Sequence, residues 1–91
     1  MKNKEDLSEV ADNVKIKEDF LEFLLLLIDD LDKNKNKDEW ENPTLERYLD
    51  ALYGFTSSIE GYYKNNNQEV NVSIPTWNMF ARMLHAAKIY E

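Results

Sequence analysis

Between Asp19 and Asp32 the chain places Phe20, Phe23, Leu24, Leu27, Ile28 and Leu31 at i, i+3, i+4, i+7, i+8 and i+11, which is one face of a 3.6-residue helix. Leu21 and Leu25 widen that stripe to about half the circumference at ~100° per residue. This helix, over about 18–33, is therefore expected to be the spine of the core, with neighbours on two sides. Glu18 and Asp19 put negative charge in its first turn, where the helix dipole favours it. Upstream, Leu7, Val10, Ala11 and Val14 repeat at i, i+3, i+4 and i+7. They predict a helix over 5–13 that is too short to persist alone.

Asn42-Pro43 reads as a helix start, with Asn42 as N-cap and Pro43 at the first helical position. Leu45, Tyr48, Leu49, Leu52, Phe55 and Ile59 form the apolar stripe of a helix over about 43–58, while Glu46, Arg47 and Asp50 face water. Gly54 weakens its polar side, and Gly61 is the expected residue just past its end. From Tyr62 to Ile74 the pattern predicts an extended connection. Val70, Val72 and Ile74 alternate with Asn71 and Ser73 over too few residues to make a sheet. Pro75 and Thr76 open a last helix reaching about Tyr90, whose main stripe is Trp77, Phe80, Ala81, Leu84 and Ala87. Met79, Met83, Ala86 and Tyr90 form a second stripe, which needs a second cover. Either the Val70–Ile74 arm supplies it, or another protein molecule does, by self-association through Met79, Met83 and Tyr90. The fold class that follows is all-α, with residues 1–91 as one helical domain. It is a small bundle of three main helices (about 18–33, 43–58 and 76–90) plus a short N-terminal helix and an extended 62–74 connection.

Composition sharpens this picture mostly by exclusion. Hydrophobic residues make up 43% of the chain, aromatics 12%, which supports a real core despite 32% charged residues. The absence of Cys removes disulfides, thiolate chemistry and Cys-rich zinc sites. A net charge of −7, with two Arg and nine Lys interspersed among acids, argues against nucleic acid and against anionic membrane surfaces. The longest apolar run, Phe23 to Ile28, falls far short of the ~20 residues of a spanning helix. Lys2 and Lys4 are followed by Glu5, Asp6 and Glu9 rather than an apolar stretch, so the expected compartment is the cytoplasm. Ten Asn and an excess of Lys over Arg are the compositional mark of an AT-rich bacterial genome.

Four places could carry chemistry. Asp30, Asp32, Asn34, Asn36, Asp38 and Glu41 match positions 1, 3, 5, 7, 9 and 12 of a calcium loop. However, Lys35 stands where the turn needs Gly, and three lysines inside the loop would repel a cation, so no metal is expected. Trp40 and Glu41, with Tyr62 or Tyr63 and Trp77, could line a pocket for a small polar molecule or peptide. The structural alternative makes Trp40 a hydrophobic staple, Asn42 a cap and Glu41 a solvated acid. The single histidine, His85, sits at the edge of its helix's stripe without an orienting partner or a second histidine, so no catalytic residue and no cofactor is assigned. On the polar side of the 18–33 helix, Glu18, Asp19, Glu22, Asp29 and Asp30 surround Leu26. That is either a solvated face or an exposed anchor for a basic-rimmed pocket.

Trp40 to Leu52 (WENPTLERYLDAL), Gly61 to Tyr63 (GYY) and Pro75 to Glu91 (PTWNMFARMLHAAKIYE) together resemble a family of short bacterial proteins known only as a domain of unknown function. Its signatures are W-E-N-x-T-L-x-x-Y-L-x-A-L and W-x-x-F-A-x-x-L-x-A-A-x-x-Y-E. The resemblance covers about residues 17–91 and implies a natural domain with its own fold, but it carries no activity to transfer. The function expected from the residues is a non-enzymatic protein-interaction module whose acidic surface meets a basic partner, using Asp19, Glu22 and Leu26. Small acidic bacterial proteins of this sort include immunity proteins that neutralise toxins. The alternative is a small-ligand-binding or enzymatic domain with a pocket around Trp40, Glu41, Tyr62 and Trp77.

Overall fold

The computed structural model describes residues 6–34 and 39–90. Its helices follow in the order α1 (Leu7–Asp12), α2 (Lys17–Asn34), α3 (Leu45–Ser57), α4 (Ile59–Asn65) and α5 (Trp77–Ile89), with no strand among the described residues. The all-α expectation holds. The central element, however, is α5 and not the 18–33 helix: α1, α2 and α3 all pack on α5, while the backbones of α2 and α3 do not approach each other closely. The cause is the double stripe of α5. On one side the fully buried Ala81 joins Leu7, Ala11, Val14, Phe23, Leu27 and Trp40 in one cluster. On another, Met79 joins Phe55, Ile59 and Tyr63, with Met83, Ala86, Tyr90 and Val72 packed against them. Helices α3 and α4, with Val72 from the connection, thus cover much of the second stripe: Met79 is buried and Met83 and Tyr90 are half-buried within the chain.

Helix α2 is rotated from the expected orientation. Phe23 and Leu27 are buried and Phe20, Leu24 and Leu31 are half-buried, but Leu21, Leu25 and Ile28 stand 50%, 68% and 63% exposed. Leu26, expected in solvent among acids, is instead half-buried against the cluster to which α1 contributes Leu7 and Ala11. With only α1 and α5 as neighbours, α2 has cover for one arc of its wide stripe and none for the other.

Short α1 persists because tertiary bonds stand in for length. Asp6 caps its start by accepting from the Ser8 N–H at 3.0 Å. Asn78 on α5 donates to the Ala11 and Asp12 carbonyls at 3.0 and 3.1 Å, and buried Arg82 pairs with the Asp12 carboxylate and donates to the Ser8 carbonyl at 3.2 Å. The second long helix is broken at Ser58 into α3 and α4, so Tyr62 and Tyr63 are helical rather than part of the connection. Gly61 is exposed inside α4 with no neighbour near its missing Cβ. The true terminator is Asn67, at φ 58°, with its N–H donating to the Lys64 carbonyl at 3.1 Å and that of Gln68 to the Tyr63 carbonyl at 2.9 Å. This is a Schellman motif with Asn in the glycine position. Gly54 has a packing reason: the Tyr90 ring lies so close that a Cβ there would sit 3.0 Å from it.

Candidate functional site

The segment joining α2 to α3 ties the two to the end of α5. The Trp40 indole N–H donates to Asp30 Oδ2 at 2.7 Å, Asn34 Nδ2 donates to Asp30 Oδ1 at 2.8 Å, and Lys88 Nζ pairs with Asp30 Oδ2 at 2.8 Å. Burial alone would raise the Asp30 pKa, but the hydrogen bonds from Lys88, Trp40 and Asn34 outweigh it and hold the carboxyl below its ordinary value. The Lys88 ammonium also lies 5.5 Å from the Trp40 ring centroid, and Trp40 stacks on Tyr48 at 6.0 Å. Buried Asn42 is not the N-cap of α3. Its Nδ2 donates to the Ala87 and Tyr90 carbonyls at 3.0 and 2.7 Å, and its backbone N–H to the Lys88 carbonyl at 3.1 Å, so it caps the C-terminus of α5. Thr44 caps α3 instead, its Oγ1 accepting from the Arg47 N–H at 3.2 Å. Trp40, Asn42 and Thr44 are thus joints.

His85 is half-buried, and burial, with the Arg82 and Lys88 charges nearby, pushes its pKa down to about 4. It is a neutral imidazole at pH 7. The Tyr48 hydroxyl donates to the Leu84 carbonyl at 2.7 Å, and burial raises its pKa to about 12. Among the described residues no buried side-chain nitrogen or oxygen lacks a partner, and no group of three or more His, Asp or Glu is placed to hold a metal. Asp30, Asp32 and Asn34, the first half of the calcium-loop match, lie on helix α2 with Asp30 and Asn34 already paired. Asn36 and Asp38 fall outside the described residues.

Part of the surface left open to solvent is apolar. Between α2 and α3 lies a hollow of about 270 Å³ lined by Leu27, Ile28 and Leu31 on one side and Leu45 and Tyr48 on the other, with Trp40 between. Two exposed stripes start from its walls. Ile28, Leu25 and Leu21 run up α2, and Leu45, Leu49 and Tyr53, exposed by 72%, 52% and 77%, run along α3. Exposed acids edge both: Glu18, Glu22, Asp29 and Asp32 on α2, Glu46 and Asp50 on α3. Lys33 pairs with Asp29 at 3.2 Å within this edge, and an apolar surface rimmed by polar residues is the sort that marks interaction sites.

The candidate ligand pocket is not assembled by its residues. Trp40 belongs to the α2–α5 joint, Tyr62 packs on Phe55 at 5.3 Å in the other cluster, and Trp77 contacts Phe20 at 5.4 Å and Phe80 at 6.1 Å. Glu41 is exposed, its carbonyl accepting from Arg47 Nη2 at 2.6 Å. Of the expected partner-binding residues, Asp19 is spent at the start of α2, accepting from the Lys15 and Ile16 N–H groups at 3.0 and 3.4 Å, and Leu26 faces the core. Glu22 stays exposed. The residues that reasoning from pattern missed are Leu21, Leu25, Ile28, Leu45, Leu49 and Tyr53. Their signal was an apolar stripe wider than one neighbouring surface can cover.

Residues 16–91 match the sequence model of a family described as a family of unknown function, DUF7660. That span leaves α1 outside. No curated protein and no solved structure matches the chain. No helix among the described residues is long and apolar enough to cross a membrane.

Proposed function

We propose, on the premise that the chain belongs to this family of unknown function, that it is a non-enzymatic protein-interaction module that docks a basic partner on the α2–α3 face. One observation carries the reading: two helices present uncovered apolar stripes that meet at a hollow, and acids edge both. The apolar part supplies contact area and the acids supply steering and choice of a cationic partner. The polar side chains of the interior point the same way, being spent on caps and joints. Neutralisation of a basic enzyme is one role such a surface would suit.

The test is affinity capture from the producing organism with wild type and two variants, followed by purification of what is retained and titration at several salt concentrations. One variant reverses Glu22 and Asp29 to Lys; the other carries Leu25→Asn. Asp19 is left alone because reversing it would break the start of α2. The expected result is a 1:1 complex with a basic protein that both variants weaken by on the order of tenfold or more. If nothing binds wild type better than the Leu25→Asn variant, the interaction reading is wrong.

A further inference from the structure

We infer that the occupant of the α2–α3 face is a single amphipathic helix of a partner chain, bearing Lys or Arg beside an apolar ridge and seating one bulky side chain in the hollow over Trp40 and Tyr48. This rests on the reading of the chain as an interaction module. Helices α2 and α3 both rest on α5, and their backbones stay apart, with Tyr48 of α3 meeting the cluster of Phe23 and Leu27 at the base. The hollow between them is walled by the two helices and closed at one side by the segment of Trp40, Asn42, Pro43 and Thr44, and a third helix can lay its ridge along the open part. Exposed apolar residues continue from the hollow at helical spacing, Ile28, Leu25 and Leu21 along α2 and Leu45 on α3, while Leu49 and Tyr53 lead on to a second hollow beside Met83. A helix laid along these walls would meet them with its own i, i+3, i+4 and i+7 anchors. At about 270 Å³ the hollow is at the small end of ligand pockets and suits one large side chain.

Charge selects the partner. A second copy would set Glu18, Glu22, Asp29, Asp32, Glu46 and Asp50 against the same acids, in a chain of net charge −7. An added strand would need a sheet edge, and the described residues contain no strand. A basic amphipathic helix satisfies both the apolar stripes and the acidic edges.

The probe is a synthetic peptide of Leu and Lys in helical period, compared with a peptide of the same composition in scrambled order. Calorimetry and chemical-shift mapping on the full chain read the binding. The expected outcome is that the periodic peptide binds at least about tenfold tighter than the scrambled one, turns helical on binding and shifts Leu25, Ile28, Leu45 and Leu49 most. Ile28→Asn and Leu45→Asn, both at exposed positions that leave folding intact, should each weaken it by on the order of tenfold without changing its salt dependence. Equal binding of both peptides, or indifference to the two Asn variants, overturns the inference, since either result means simple attraction between opposite charges. A dimer in light scattering that the same variants abolish overturns it in favour of a second copy. A captured basic protein that crosslinks to this face through a loop or strand would sink the helix and spare the module; no partner and no periodic-peptide binding would sink both.

Discussion

Asn42 offers the sharpest check on how the joints hold this fold. As an N-cap of α3 it would accept from backbone N–H groups, and Asp or Ser would serve about as well. In the structure it does the opposite, donating from Nδ2 to the Ala87 and Tyr90 carbonyls at the end of α5. Asn42→Asp removes both donors, leaves two acceptors short of a partner in a site only 7% exposed at residue 42, and sets a carboxylate against the negative end of a helix. Two lost hydrogen bonds at ~1 kcal/mol each, plus the desolvation of an unpaired buried carbonyl, give a cost of about 3 kcal/mol. That is a large share of the ~5–14 kcal/mol available to a domain of this size. It lowers Tm by about 10–25 °C in a calorimetric melt. Thr44→Ala, which removes the real N-cap, should cost about 1 kcal/mol. An Asn42→Asp variant within about 0.5 kcal/mol of wild type, with Thr44→Ala silent, would refute the assignment and return Asn42 to the start of α3.

Three further outcomes follow from the same contacts. The folded pKa of His85 lies at about 4 against an ordinary 6.5, so below pH 6.5 the unfolded chain binds a proton the folded chain refuses. Stability is therefore lost as pH falls from about 6.5 to 4, by about 1–2 kcal/mol from this half-buried ring once solvent screening is allowed for. Urea titrations across that window should show a shallower loss for His85→Gln, which leaves the acid-side contribution of Asp30 in place; parallel curves would contradict the half-buried neutral imidazole. Gly61→Ala, in the open middle of α4, should raise stability by about 0.5–1 kcal/mol in thermal melts, whereas a glycine needed as a helix end would make the same change harmful. Asn67→Ala should cost about 1 kcal/mol and Asn67→Gly nothing, because the left-handed backbone at φ 58° penalises Cβ without the local help of the Asn side chain; equal losses would argue against the Schellman end of α4.

The residues by themselves determined that the chain is all-α, because periods of 3.6 with Thr, Asp and Pro at their starts are local signals that each segment carries alone. They also determined that α5 has two apolar stripes. What they could not determine is which partner covers which stripe, since that depends on segments distant in the chain. The long Phe20–Leu31 run looked like the spine because it is the most apolar segment. Yet α5 takes that place: the small Ala81 and Ala87 let neighbours approach on sides where α2 carries bulky leucines. Asn42 illustrates the same limit at one residue. Asn before Pro is a helix start by local rule, and only the arrival of the α5 C-terminus, 45 residues on, makes it the donor that closes another helix. The candidate face was half legible, as a stripe too wide to bury; that its surplus lies beside the exposed stripe of α3, rather than against the core, was decided when both helices docked on α5 and left each other free.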